Sequence, residues 1–179
     1  MFEPLGVISP AVFLVAWAAC IRMDGSWSSR RYICDLGISR EARVSAVFNS
    51  SAVICGALLL LFSAEALWCS RDHLGTLLWS SASVTSVMIM MIGLVTERHQ
   101  PLHLWIGYGL FVCLATTAGL LVAWGLLGQG SVFIGILAIV SMSVAFAVLV
   151  LRGTRRAEAA AAVLGMFTVA AQAASMMLG

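Results

Sequence analysis

The chain has 179 residues, of which 61% are hydrophobic and 10% charged, with a formal net charge of +2. Its mean hydropathy is +1.03, whereas soluble domains run at roughly 45–50% apolar and about 25% charged. An ordinary soluble domain is excluded, and at about 28 residues per span and loop the length accommodates about six membrane helices.

The expected fold is therefore all-α: a polytopic integral membrane bundle of six transmembrane helices forming a single domain over residues 1–179, with no soluble domain. In chain order the apolar runs fall at about 5–23, 44–68, 75–96, 102–125, 131–151 and 158–178, each bounded by charge, Pro or Gly. The first run is read as a retained helix and not a signal peptide. The segment before it carries Glu3 and no basic residue, and Trp17 occupies a position near Ala18-Ala19-Cys20 that a lipoprotein box fills with a small aliphatic residue.

Between the first two runs lies the one long connection, residues 24–43, with Asp24, Arg30, Arg31, Asp35, Arg40, Glu41 and Arg43. It is the loop long enough to hold a site. The second run carries Asn49 near its start and Glu65 near its end. The third carries Ser80, Ser81, Ser83, Thr85 and Ser86, a hydroxyl patch expected to face the bundle, because a hydroxyl in lipid back-bonds to its helix or finds a partner. Arg71, Asp72 and His73 read as solvated loop residues with no role. Pro101 fits the first position of the fourth helix. Ala115 with Gly119, and Ala161 with Gly165, are spaced for close helix approach.

All ten basic residues are Arg, and nine of them lie in the first loop (with Arg22), the 97–101 turn and the 152–157 turn, against Arg71 alone on the other side. The positive-inside rule then places those three connections in the cytoplasm and both termini outside, in a multi-pass protein of the cell membrane. Trp68, Trp79 and Trp124 at the outer helix ends, and Trp105, Trp27 and Tyr32 at the inner boundary, read as interfacial anchors. Membrane lipids are the expected partners. Nucleic acid is not, since the charges sit between apolar runs and form no basic stripe. Five scattered cysteines, with no C-x-x-C, predict neither disulfides nor a zinc knuckle.

The residues that could carry chemistry gather on the cytoplasmic side. Asp35, Asn49, Glu97, His99 and His103 can meet there provided the first loop folds back over the bundle mouth. His103, just inside an apolar helix, is the most telling, because an ionisable group at membrane depth is a functional candidate by default. A carboxylate with two imidazoles can ligate a metal. However, His99 precedes a helix-starting Pro, so the pair does not share a continuous helical face as in H-E-x-x-H. The preferred reading is that His99 helps cap the fourth helix and His103 hydrogen-bonds within the bundle, with no metal site and the cofactor left unassigned. Arg40, Arg43 and Arg98, near helix N-termini, suit a lipid phosphate. No Ser or Cys shows a nucleophile signature, and Asp35 beside Cys34 opposes thiol activation.

Tyr32-Ile33-Cys34-Asp35-Leu36-Gly37, followed by Val47-Phe48-Asn49-Ser50-Ser51, resembles the "ISDLG … FN" signature of the bacterial and archaeal membrane family called domain of unknown function 998. Val95 to His103 resembles that family's "FPED … PLH" turn, and Arg156-Ala157-Glu158 its "ER" start to the last helix. The resemblance implies six helices and singles out Asp35, Gly37, Asn49, Pro101, His103 and Glu158, but it implies no activity. Cys34 stands where the family has Ser, and Thr96-Glu97 replaces Phe-Pro.

Three functions follow as expectations. The first is binding or sensing of a lipid or other amphiphile at the cytoplasmic face, with Arg40, Arg43, Arg98, Asn49, Glu97 and His99 as ligand-binding residues. The second is an interfacial enzyme acting on a lipid headgroup or isoprenoid, with Asp35 and His103 as its catalytic general base and acid or as ligands of a metal. The third, a small transporter, is disfavoured because no acid lies near a bilayer midplane. Oligomeric state is left open.

Overall fold

The computed structural model describes residues 2–28, 31–127 and 130–178. Six helices long and apolar enough to cross a membrane account for most of them: α1 Glu3–Met23, α2 Ala42–Cys69, α3 His73–Leu94, α4 Leu102–Leu126, α5 Val132–Arg152 and α6 Thr154–Leu178. Each helix packs on its neighbours in sequence, and α6 returns to α1, closing a ring of antiparallel helices. All-helical spans satisfy every backbone group internally, which is what lipid requires. Apolar side chains such as Val15, Phe111, Val112, Phe146 and Val150 accordingly face outward.

The buried side chains form two cores stacked along the bundle. Phe13, Cys20, Leu36, Val44, Phe48, Cys55 and Met166 join α1, α2, α6 and the first loop at one end. Phe62, Leu78, Trp79, Leu121, Ile134 and Ala173 join α2 to α6 at the other. The first of these is called the capped end below, because residues 24–41 fold back onto it. The connections holding the arginines of the first loop, the α3–α4 turn and the α5–α6 turn all lie there. Arg30 itself lies outside the described residues.

Several expectations change. The last helix begins at Thr154 and not at 158, directly after Gly153, whose φ of +82° turns the chain in one residue at little steric cost. Arg155, Arg156 and Glu158 lower the hydropathy of that first turn without breaking its helix. Asp72 is not a loose loop residue: its carboxylate accepts the Gly75 amide at 2.6 Å and caps α3. Pro101 stands at the N-cap of α4, one position early, and His99 is exposed and caps nothing, because no side chain caps that helix. Trp79 is core and not an interfacial anchor, buried edge-on between Phe62 and Trp124.

Trp105 and Trp68 are exposed at helix ends, as anchors are. The α3 hydroxyls do face neighbouring helices: Ser83 donates to Ser63, while Ser81 and Thr85 each pair with Thr117 on α4. The close approaches, however, are elsewhere than expected. A Cβ on Gly119 or Gly165 would meet nothing within 4 Å. One on Gly56 would lie 2.7 Å from the Ser86 carbonyl oxygen, and one on Gly93 2.6 Å from that of Asn49. The tight seam is α2 against α3.

Candidate functional site

The loop is tied at both ends before it carries anything. Asp24, buried just after α1, accepts hydrogen bonds from the Ser26 amide at 3.1 Å, the Ser26 hydroxyl at 2.6 Å and the Ser39 hydroxyl at 2.8 Å. A single carboxylate thus joins the start of the loop to its end. Those bonds hold the Asp24 carboxyl below the usual carboxylate range. Trp27 packs edge-on against Trp17 of α1, and its indole N–H donates to the Tyr32 carbonyl.

Apolar anchors then set the loop's depth. Ile33 and Leu36 are buried in the capped-end core, and residues Cys34–Ile38 form a 3-10 turn lying on α2 and on the short Glu97–His99 turn. From α2, the Ser45 hydroxyl and the Asn49 amide both donate to the Gly37 carbonyl. Asn49 is thereby engaged with the loop backbone.

Four segments bring polar side chains to this turn. Glu158, from α6, accepts the Cys34 thiol at 3.2 Å and the Ile33 amide at 3.3 Å. Asp35 accepts the Tyr32 amide and Arg31 Nε, both at 3.2 Å, through one carboxylate oxygen. The Tyr32 hydroxyl reaches Thr154 at 3.1 Å, and Arg155 lies over the Tyr32 ring at 5.2 Å. Beneath, His103 is buried with Nδ1 bonded to the Val95 carbonyl, as a bundle hydrogen bond requires. Because a carbonyl can only accept, that bond places a proton on Nδ1.

Electrostatics link these groups more widely than hydrogen bonds do. Burial raises the Glu97 carboxyl above its usual range. The charge on Asp35 raises it further, while His103 pulls it down. Asp35 and His103 share no hydrogen bond, yet both act on Glu97. Burial, and next the charge on Glu158, lift the Cys34 thiol well above its usual value, so it stands protonated at neutral pH. The contribution of Asp35, the neighbour in sequence, is a lesser one.

Arg40, Arg43, Arg98 and His99 all stand exposed at this end. Asp35, Glu97 and Glu158 are thus partly buried while these guanidinium groups turn outward, with Glu41 exposed among them. Among the described residues no cluster of three His, Cys, Asp or Glu side chains has the arrangement to hold a metal ion. Cys34 and Asp24 are the members that sequence reasoning passed over. The signals for them were the thiol's place beside Asp35 and an acid directly following the first helix. No known family model, curated protein or solved structure matches the chain.

Proposed function

We propose that this multi-pass membrane protein binds the anionic headgroup of a membrane lipid at its capped end, through Arg40, Arg43 and Arg98. The observation that carries this reading is the division of charge there. Asp35, Glu97 and Glu158 are half-buried, Asp35 and Glu158 hydrogen-bonded to the loop and Glu97 facing Asp35 and His103. The three arginines are exposed, with Glu41 as the exposed acid beside Arg40, and among the described residues no ion pair ties them. A headgroup arriving at this end meets a cationic rim, with Leu102, Trp105 and Tyr108 exposed along α4 to receive its chains. The likeness to the domain of unknown function 998 family draws attention to the same end of the bundle. In this reading that end faces the cytoplasm, which the arginine count supports.

The experiment is native mass spectrometry of protein released from nanodiscs holding equal phosphatidylglycerol and phosphatidylcholine. Wild type retains phosphatidylglycerol. Arg40→Gln, Arg43→Gln and Arg98→Gln combined lose it about tenfold, while Arg152→Gln with Arg156→Gln keeps it. Equal retention by both combinations would reduce the rim to a non-specific orientation signal.

One observation favours a second reading, an interfacial acid–base enzyme. The His103 tautomer is fixed by Val95, and Glu97 answers to both His103 and Asp35. Turnover of a lipid headgroup that Asp35→Asn and His103→Ala abolish, with lipid retention unchanged, would establish it.

A further inference from the structure

α4 and α5 meet closely at one end only. Opposite the cap, a Cβ on Gly125 would lie 3.3 Å from the Gly135 Cα, and one on Gly135 would lie 3.5 Å from the Val122 carbonyl oxygen. Those are backbone atoms, so the two helices touch there. Leu104 and Phe111 stand about five and about three helical turns before Val122 and share its face, while Met142 and Phe146 stand about two and about three turns after Gly135 and share that one. Continued contact would cover all of these side chains. Instead Leu104 and Phe111 are each 46% exposed, Met142 is 40% exposed and Phe146 67%.

The helices therefore part on the way to the capped end and leave a wedge between them that opens sideways, towards lipid. Gly107, about one turn from both Leu104 and Phe111 on α4, deepens it. A Cβ there would meet nothing within 4 Å. From Met142 to Arg152, where α5 ends, the helix rises about 15 Å, one leaflet of a hydrocarbon core about 30 Å thick. The mouth of the wedge thus lies at headgroup level, near Arg98, which is exposed in the turn that leads into α4.

Shape selects the occupant. A wedge that narrows to backbone contact does not fit a helix, which is a rod about 10 Å across along its whole length. A single hydrocarbon chain can follow the taper, and the Leu, Phe and Met side chains of the walls are as apolar as lipid and supple enough to close on it. The guanidinium at the mouth complements an anionic headgroup. We infer, building on the headgroup reading above, that the wedge between α4 and α5 seats one acyl chain of the lipid that Arg98 binds. The gain is one of packing, because a chain held between two walls makes contacts that a chain lying along one helix does not.

The test places the whole chain in nanodiscs of equal phosphatidylglycerol and phosphatidylcholine, the phosphatidylglycerol carrying a diazirine midway along one acyl chain. Photocrosslinked peptides are located by mass spectrometry, and retained lipid is counted by native mass spectrometry. Crosslinks fall on Phe111, Met142 and Phe146 several-fold more often than on Val15 or Ile54, which are exposed on α1 and α2. Gly107→Phe puts a ring into the wedge at a position open enough to spare the fold, abolishes that preference and lowers retained phosphatidylglycerol about tenfold. Gly119→Phe, equally open but on the outward face of α4, changes neither. Crosslinks spread evenly over the helices, or retention that Gly107→Phe leaves intact while wild type holds phosphatidylglycerol, would overturn the wedge and leave the headgroup reading standing. Wild type that holds no phosphatidylglycerol would overturn both. A native mass of two chains that Gly107→Phe reduces to one, with no lipid retained, would give the wedge to a second copy of the protein and overturn the acyl-chain assignment.

Discussion

The Asn49 side chain clasps Gly37: its amide donates to the Gly37 carbonyl at 3.0 Å, while its Oδ1 lies only 2.6 Å from where a Cβ on Gly37 would stand. One contact thus sets both the height of the loop above α2 and the size of the residue that can sit there. Everything the turn carries, Cys34 and Asp35 included, takes its position from that clasp.

Gly37→Ala follows as the first prediction. The methyl group collides with a side-chain tip and not with backbone, so Asn49 swings aside and surrenders its bond. The expected cost is about 1–2 kcal/mol, the range of a lost hydrogen bond plus mild overpacking. Asn49→Ala alone costs about 1 kcal/mol, and the double variant costs less than the sum because the collision is gone. Thermal unfolding in detergent for the four proteins measures this; strict additivity would mean that the two residues do not act on each other.

Acid sensitivity of the capped end has two opposing parts. Asp24 sits below the ordinary carboxylate value, so its contribution is complete above that value and is lost as pH falls through the lowered one. Glu97 is raised, so its ionised form burdens the folded state above the raised value, and the burden lifts as pH falls through the ordinary value. Stability measured against pH should therefore pass through a maximum near about pH 4. Asp24→Asn should remove the fall on the acid side and Glu97→Gln the fall on the neutral side. A profile unchanged by either substitution would detach these groups from the stability of the cap.

Cys34 should be the slow thiol. It is held protonated by burial and by Glu158, while Cys69 is exposed. At pH 8, iodoacetamide should label Cys69 well before Cys34. Labelling of Cys34 should climb steeply only in more alkaline buffer, because the thiolate is the nucleophile. Mass spectrometry of the digested protein reads both rates at once. Cys34 labelled as fast as Cys69 at pH 8 would mean that the loop does not rest on Glu158.

The spans were legible because lipid makes one strong demand, about twenty apolar residues, and each run meets it. The faces were not. With lipid on one side and core on the other, both apolar, no stripe tells Trp79 in the core from Trp68 in the open. Small residues four apart gave no better guide, since Gly119 and Gly165 have the spacing and no neighbour. At the capped end, nearness to helix termini was enough to gather Asp35, Asn49, Glu97 and His103 on one side. The bond between Cys34 and Glu158 spans 124 positions of sequence, and no local pattern encodes it. Asp24 was legible only as a charge, because its partner Ser39 lies 15 positions on, across a loop whose path the sequence left open.

The α2–α3 seam yields the last prediction, a contrast between glycines. A Cβ on Gly56 would lie 2.7 Å from the Ser86 carbonyl oxygen and 2.8 Å from the Met90 nitrogen. Those are backbone atoms of a neighbouring helix, so relief requires α3 to move as a body. It cannot move freely, because Gly93 presses on the Asn49 carbonyl further along the same seam, and Ser83 is bonded to Ser63. Gly56→Ala should therefore cost about 1–3 kcal/mol, at the upper end of that range. Gly119→Ala and Gly165→Ala, whose added methyls meet nothing within 4 Å, should lie within about 0.5 kcal/mol of wild type. Reversible unfolding of the three variants in mixed micelles measures the order. A Gly119→Ala variant as unstable as Gly56→Ala would instead place a second close helix contact on the outward face of α4, where the packing of this chain alone supplies none.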